Sequence, residues 1–452
     1  MPSFAELVST EFFYITIILF CLIPLILVLL LMPWWKRIAR KKKWIGNDIH
    51  KINQPEVPES GGFVLTIGLI VGLLLIRVFY PQFANEIWTL LLTVVIAAII
   101  GFIDDRHRLA PILKILSVLI AGTPFYIAHF FSFITLGRPI IPILGTTQLT
   151  ILYPLATPLL IAISTNTVNM LEGYNGEGAG TCLIVSIVML IAGIIQDSAV
   201  AVLFIIPFIG ATAGFLKFNK YPAQVFPGDI GTLTMGAMIG GVMILGGIEV
   251  ATFCALLAHI LNSFYVIISI RGLHESHSIR VKDIEVLNDN RIQASLKEGA
   301  PITLPRLLLA YGEMTEPQLV NQFWKLSLIA GCFGVIASIA TVWTIDPDKV
   351  FNEMLGCYIV IITLCGVICV VLLWKNIRLR GLGFIMILLL LVGLFGLVLV
   401  DIYVVPLGNP LNLLVTGLIA IPPLGVWYFL QNRLFWRTIN RYKANFTQQP
   451  VQ

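Results

Sequence analysis

Charge is what this sequence has least of. Asp, Glu, Lys and Arg make up 12% of its 452 residues, about half the 25% usual in soluble domains. So little charge cannot clothe a water-facing surface of this size. The formal net charge of +5 is also too small and too dispersed to make a nucleic-acid footprint. The seven cysteines are scattered singly, mostly inside apolar runs (Cys21, Cys182, Cys254, Cys332, Cys357, Cys365, Cys369). No zinc-type spacing is present, so they read as small packing residues. Internal repeats, low-complexity tracts and the ten-residue alternating segments of membrane β-barrels are missing too.

What is present is apolar sequence: 58% hydrophobic residues and a mean hydropathy of +0.93. Apolar runs of about 20 residues can cross a bilayer as helices. Thirteen such runs are expected, at about 12–33, 61–79, 87–103, 112–131, 153–168, 179–195, 199–216, 231–248, 250–270, 326–345, 355–374, 381–400 and 411–430. The shortest, 153–168, ends in polar residues. The first run is too long for a signal-peptide core and reads as a retained anchor. With the N-terminus outside and strict alternation, inner segments hold 26 of the 29 Lys and Arg residues. Only Arg77, Arg138 and Lys349 fall outside, as the positive-inside bias requires.

The expectation is therefore an all-α integral membrane protein. About ten core spans fill residues 1–345, and about three further spans of no assigned role fill 346–452. A small outer β-hairpin is expected within 133–152, where β-branched residues are broken by Gly137, Arg138, Pro139 and Gly145. The inner soluble segment, 271–325, should carry short strands (278–286 and 291–296), a turn at 288–290 and a helix near 304–311.

Polar residues at membrane depth are costly and usually functional. Here they cluster on four inner loops. Span three ends in Gly101-Phe102-Ile103-Asp104-Asp105-Arg106. Span five ends in Asn166-Thr167-Val168-Asn169, followed by Glu172-Gly173-Tyr174-Asn175-Gly176-Glu177. Asn166 and Asn169 lie three apart on one helix face, and that loop has no Lys or Arg, which points to a cation site. Asp229 enters span eight after Phe226-Pro227-Gly228, and Pro58-Glu59-Ser60-Gly61 opens span two. Carboxylate and amide oxygens suit Mg²⁺, and Asp229 with Asn169 could supply them. Lys51, Lys114, Arg271, His277 and Arg280 lie on the same side and could meet phosphates. A transporter would also carry polar residues in its helices. Transporters tend to bind near the midplane between repeats, whereas these clusters share one face. Intact acidic and amide residues argue against an inert scaffold.

The four ordered motifs resemble those of the polyprenyl-phosphate N-acetylhexosamine-1-phosphate transferases, over about residues 10–345. The glutamate in Pro58-Glu59-Ser60 and the neutral Asn175-Gly176 look most like the dolichyl-phosphate GlcNAc-1-phosphotransferases of archaea and eukaryotes. The resemblance implies transfer of GlcNAc-1-phosphate from UDP-GlcNAc to dolichyl or another polyprenyl phosphate, releasing UMP and starting an N-glycan. It also implies Mg²⁺ (or Mn²⁺), a membrane-lipid environment, a homodimer and no nucleic-acid partner. The membrane would be an archaeal cell membrane or the ER, with the site on the cytoplasmic face. By position, Asn169 and Asp229 resemble the metal ligands, and Asp104 and Asp105 the essential acidic pair. Lys114 resembles the diphosphate-binding lysine. Gly173, Asn175 and Phe226 resemble the uridine pocket, with Asn166 beside it. Glu59 resembles a sugar-side acid, and His277 and Arg280 the sugar-recognition loop. Arg108 and the absence of a histidine triplet from the soluble segment set this chain apart from many family members.

Overall fold

A helix satisfies its own backbone hydrogen bonds, so lipid-facing segments of this chain have little alternative to helix. A computed structural model describes residues 4–8, 13–147, 149–269, 281–297, 299–406, 409 and 412–447. Its main helices are α1 (Phe13–Lys41), α2 (Gly62–Phe79), α3 (Ala84–His107), α4 (Pro111–Phe130), α5 (Leu152–Leu171), α6 (Glu177–Ile195), α7 (Ala199–Asn219) and α8 (Gly228–Gly246). They continue as α9 (Glu249–Ala255), α10 (Leu257–Ser269), α11 (Leu304–Leu309), α12 (Glu316–Ile345), α13 (Leu355–Lys375), α14 (Ile377–Tyr403) and α15 (Asn412–Thr447).

Among the described residues, ten helices are long and apolar enough to cross a membrane, eleven if the α9–α10 pair, bent by 64°, is one span. This is two fewer than the thirteen expected from sequence. The difference lies in α5 and α15. Helix α5 has 20 residues, about 30 Å at 1.5 Å per residue, and traverses the bundle. Its last turns, Ser164 to Asn169, are polar and largely enclosed by protein, so overall hydropathy understates it. Helix α15 is 36 residues long, but its second half is polar.

Alternate loops gather at opposite ends. At one end β3 (Ile140–Ile141) pairs with β4 (Gly145–Thr146), forming the expected hairpin. The backbone N–H of Ile143 there donates to Thr344 Oγ1 (2.7 Å), and Tyr153 donates to Glu249. At the other end β1 (Ile45–Asn47) pairs with β2 (Glu56–Pro58). Beyond α10, β5 (Ile284–Val286), β6 (Arg291–Ala294) and β7 (Met314–Thr315) form a three-stranded antiparallel sheet. With α11, these give the turn and helix expected for the soluble segment and a strand within each expected stretch, although β5 covers only 284–286 of 278–286, of which 278–280 lie outside the described residues.

Lipid offers no hydrophobic drive between helices, so close packing must come from small residues. Helix α8 supplies them. A Cβ on Gly62 of α2 would run into the Gly231 backbone, and one on Gly101 of α3 would lie 2.5 Å from Ile230 N. The α5 side chain Ser164 donates to Gly236 O at 3.0 Å, and the Thr66 and Thr234 hydroxyls meet at 3.0 Å. These contacts bring the inner ends of α2, α3, α5 and α8 together. Gly62→Ala should therefore lower the melting temperature in detergent, overpacking costing about 1–3 kcal/mol. Gly356→Ala, where nothing lies within 4 Å, is the control. Equal melting temperatures for the two variants would refute this account of the α2–α8 contact.

Candidate active site

The site assembles where α3 and α5 end and α4 and α8 begin. Adjacent residues on a helix point about 100° apart, and this separates the two aspartates of α3. Asp104 faces inward and is 3% exposed. Its Oδ2 lies 2.6 Å from Lys114 Nζ of α4, and its Oδ1 accepts Leu109 N–H at 2.7 Å. Lys114 Nζ also reaches Asp229 Oδ1 on the first turn of α8, at 2.7 Å. The same Asp229 oxygen accepts Asn169 Nδ2 from the end of α5, and Asn169 Nδ2 also donates to Thr232 Oγ1 at 2.7 Å. Two carboxylates thus hold a single ammonium, and the Asn169 amide and Thr232 hydroxyl extend the network from Asp229.

Asp105 does different work. Its Oδ1 accepts the backbone N–H of Asp229 (2.6 Å) and its Oδ2 accepts Ser60 Oγ (2.6 Å). Gly228 has φ +66°, and a Cβ there would strike this carboxylate. Asp105 therefore sets the turn that presents Asp229. Arg106 Nη2 donates to Ser60 Oγ (2.8 Å), and its guanidinium lies 3.9 Å from the Trp44 ring centroid. The 58–62 and 226–227 segments are zipped by Phe226 N–H to Pro58 O (2.8 Å), Gly61 N–H to Phe226 O (2.8 Å) and Gly62 N–H to Pro227 O (2.9 Å).

A second cluster adjoins the loop after α5. Asn175 is buried, and its backbone N–H donates to Glu316 Oε1 (2.8 Å) while Nδ2 donates to Asp48 Oδ2 (2.9 Å). Lys51 Nζ bonds Asp48 and lies 3.3 Å from Glu316 Oε2. His50 stacks on Tyr174, with centroids 4.2 Å apart. The loop is stapled at both ends: Glu172 accepts Gly178 N–H (2.6 Å), and Glu177 accepts the N–H groups of Gly173 (3.0 Å) and Tyr174 (3.1 Å). Burial pushes the Glu172 carboxyl up to about 7.

Burial also holds the His50 imidazole down at about 4, against an ordinary 6.5, with Asp48 partly opposing and Lys51 assisting. Between these values the unfolded chain binds more protons than the folded one. Stability then rises with pH from about 4 to 6.5 and is lost as pH falls through that window. Wild-type protein should thus lose melting temperature faster than His50→Gln as pH drops from 6.5 to 4. Parallel curves would show that His50 is not held neutral.

The structure places the other expected residues as follows. Asn166 turns its amide back to Ala162 O at 2.8 Å, within its own helix. Gly173 is exposed, and Phe226 is half-buried beside Gly61. Glu59 is half-buried near Arg106, its backbone oxygen accepting Trp35 Nε1–H at 3.1 Å. His277 and Arg280 lie outside the described residues. Sequence reasoning missed Asp48, Thr232 and Glu316. Thr232 was findable as the residue one turn after Asp229, whereas Asp48 and Glu316 are brought in only by tertiary contacts.

Two donor sets could hold a cation. Asp104 and Asp229, with Asn169 and Thr232 beside Asp229, carry hard oxygens of the kind a magnesium-class ion takes, with the Asn169 amide presenting Nδ2 to Asp229 and Lys114 lying between the carboxylates. Asp48, His50 and Glu316 each bring one ligand atom within 4.8 Å of the others, with Lys51 bridging the two carboxylates as Lys114 bridges Asp104 and Asp229.

The glycosyl transferase family 4 profile matches residues 87–247, the stretch that carries Asp104, Lys114, Asn169 and Asp229. A protein of Methanocaldococcus jannaschii named "Putative glycosyltransferase" is 30% identical over 306 residues, 65% of this chain and 88% of its own length. A protein of Saccharolobus solfataricus named "Putative UDP-N-acetylglucosamine--dolichyl-phosphate N-acetylglucosaminephosphotransferase" is 28% identical over 314 residues, 68% of this chain and 92% of its own. The phospho-N-acetylmuramoyl-pentapeptide-transferase of Wolbachia pipientis wMel is 31% identical over 352 residues, 73% of this chain and 98% of its own.

Proposed function

This chain belongs to glycosyl transferase family 4 and is a multi-pass membrane enzyme of polyprenyl-phosphate sugar-phosphate transfer; from that premise we propose that it transfers GlcNAc-1-phosphate from UDP-GlcNAc to dolichyl or a related polyprenyl phosphate. The observation that carries this reading is the Asp104–Lys114–Asp229–Asn169 cluster at the end of the bundle. It supports a charged diphosphate at the membrane edge, where the nucleotide arrives from water and the lipid tail stays in the bilayer. On this reading the face is cytoplasmic.

In the reaction, an oxygen of the lipid phosphate attacks the β-phosphorus of UDP-GlcNAc. The bond from that phosphorus to the bridging oxygen breaks, and UMP leaves with the oxygen. Phosphoryl transfer of this kind depends on positioning and charge neutralisation more than on covalent help. Mg²⁺ held by Asp229 and Asn169 would supply neutralisation of the diphosphate. Lys114 contacts the diphosphate, and Asp104 orients Lys114. Asp105 keeps Asp229 in register without touching substrate. The 173–175 loop and Phe226 receive the uridine, with Glu59 towards the sugar. The lipid phosphate has a second pKa of about 6 and is mostly dianionic at neutral pH, so a general base would gain little.

The test is purified protein in detergent with Mg²⁺, dolichyl phosphate and radiolabelled UDP-GlcNAc. Label entering the lipid phase with stoichiometric UMP, and none without divalent ion, is expected. Transfer only from UDP-GalNAc or UDP-MurNAc-pentapeptide would replace the donor. Transfer from none of the three would overturn the reading.

A further inference from the structure

Among the described residues of 346–447 are three long helices, α13, α14 and α15, to which the reaction above gives no task. Two of them grip the soluble segment. Arg306 of α11 is 1% exposed. Its guanidinium donates to Ser295 O (2.9 Å), Lys297 O (3.1 Å), Ala300 O (2.6 Å) and Pro301 O (3.3 Å), tying the 295–301 loop around itself. Carbonyls in one plane leave the faces of the guanidinium to be covered, and α15 covers one. The Phe435 ring centroid lies 4.5 Å from the Arg306 carbon and that of Trp436 5.5 Å. A desolvated cation over aromatic faces is a firm attachment. At the start of α14, Arg378 Nη1 donates to Leu308 O (3.0 Å) and Gly312 O (2.8 Å), carbonyls at and beyond the end of α11. Asn376, capping the same helix, bonds Gln322 of α12.

The grip reaches the pocket by two routes. Strand β6 leads directly into the gripped segment, and pairs Ile292 with Met314 and Arg291 with Thr315. The next residue is Glu316, whose carboxylate holds the Asn175 backbone and Lys51. The second route is apolar. Leu379, Leu382, Trp427, Phe435 and Ile439 share one core with Leu308, Phe323 and Tyr174, and the Tyr174 and Phe323 rings stack at 6.2 Å.

We propose that α14 and α15 are a positioning element for the nucleotide-sugar pocket, fixing the soluble segment so that Glu316 and Tyr174 hold the 172–177 loop ready to bind. Arg306, Arg378, Phe435 and Trp436 are its positioning residues. The proposal rests on the reading that this loop takes the nucleotide.

The test uses full-length protein in detergent. The variants are Phe435→Ala with Trp436→Ala, Arg378→Ala, and the conservative Phe435→Tyr and Arg378→Lys. Two readouts are taken: hydrogen exchange of 291–315 and 172–177, and steady-state kinetics with each substrate varied. The alanine variants should exchange faster in both segments. Their KM for UDP-GlcNAc should rise about tenfold, with kcat and the lipid-phosphate KM within about twofold. Phe435→Tyr, which keeps the ring face, should restore both readouts. Unchanged exchange would overturn the grip, and faster exchange of 291–315 with an unchanged nucleotide KM would overturn its reach. A parallel loss of kcat, both KM values and melting temperature would mark a merely structural role and also overturn it. If wild-type protein transfers no sugar phosphate, the reaction assigned above fails. The exchange of 172–177 and its protection by UMP still decide the positioning claim.

Discussion

Asp229→Ala should reduce sugar-phosphate transfer by about a thousandfold or more, a loss at the upper end of those seen when one preorganised electrostatic group is removed. Asp229 Oδ1 is where α4 and α5 meet: it takes both the Lys114 ammonium and the Asn169 amide. Its removal deletes an oxygen donor from the proposed cation site. It also leaves Lys114 with Asp104 as its remaining carboxylate partner in the cluster. Asp229 is 28% exposed and Lys114 18%, so water screens part of the loss, and melting temperature should be read beside the rate. Asp229→Asn keeps the side-chain shape and one oxygen, and should lose most of the rate with less of the stability. Full activity in either variant would remove the cluster from the chemistry. If Asp229→Ala is inactive but still binds UDP-GlcNAc and saturates with Mg²⁺ at wild-type concentrations, the metal-ligand assignment is wrong.

Asp104→Asn is the second large effect, and its pH dependence matters more than its size. Asparagine can still accept the Leu109 N–H that Asp104 Oδ1 accepts at 2.7 Å. It cannot supply the charge that Oδ2 places 2.6 Å from Lys114 Nζ. If Asp104 orients Lys114, the rate should fall about a hundredfold, by the same factor at every pH from 6 to 9. A lipid phosphate with a second pKa of about 6 is already a competent nucleophile across that range. Recovery of the variant towards high pH would instead show that Asp104 withdraws a proton during the reaction.

These two aspartates also show where sequence reading runs short. Side by side in sequence they look like one acidic pair, as the resemblance implies. On α3 they point apart, one at Lys114 and the other at Ser60 and the Asp229 backbone. The helix period already turns their directions about 100° apart. Which of the two turns inward, however, depends on where α8 packs. Asn166 and Asn169 behave alike: their spacing puts them on one face, but Asn166 spends its amide on Ala162 O.

The sequence by itself determined the class of structure, because a chain 12% charged with runs of about 20 apolar residues can satisfy its backbone in lipid only as helices. It also determined which loops matter, since polar residues at membrane depth stand out against so apolar a background. Even the strands and turn of the soluble segment were legible in local periodicity and turn residues. The tertiary structure alone decided that Asp48, Lys51, Asn175 and Glu316 form one network. Between Asp48 and Glu316 lie 267 residues, and no local pattern encodes a contact that arises from how helices stack. It likewise decided that Phe435 and Trp436 close over Arg306. In sequence these are two aromatics in an amphipathic tail and one arginine in a basic loop, and only packing brings them together.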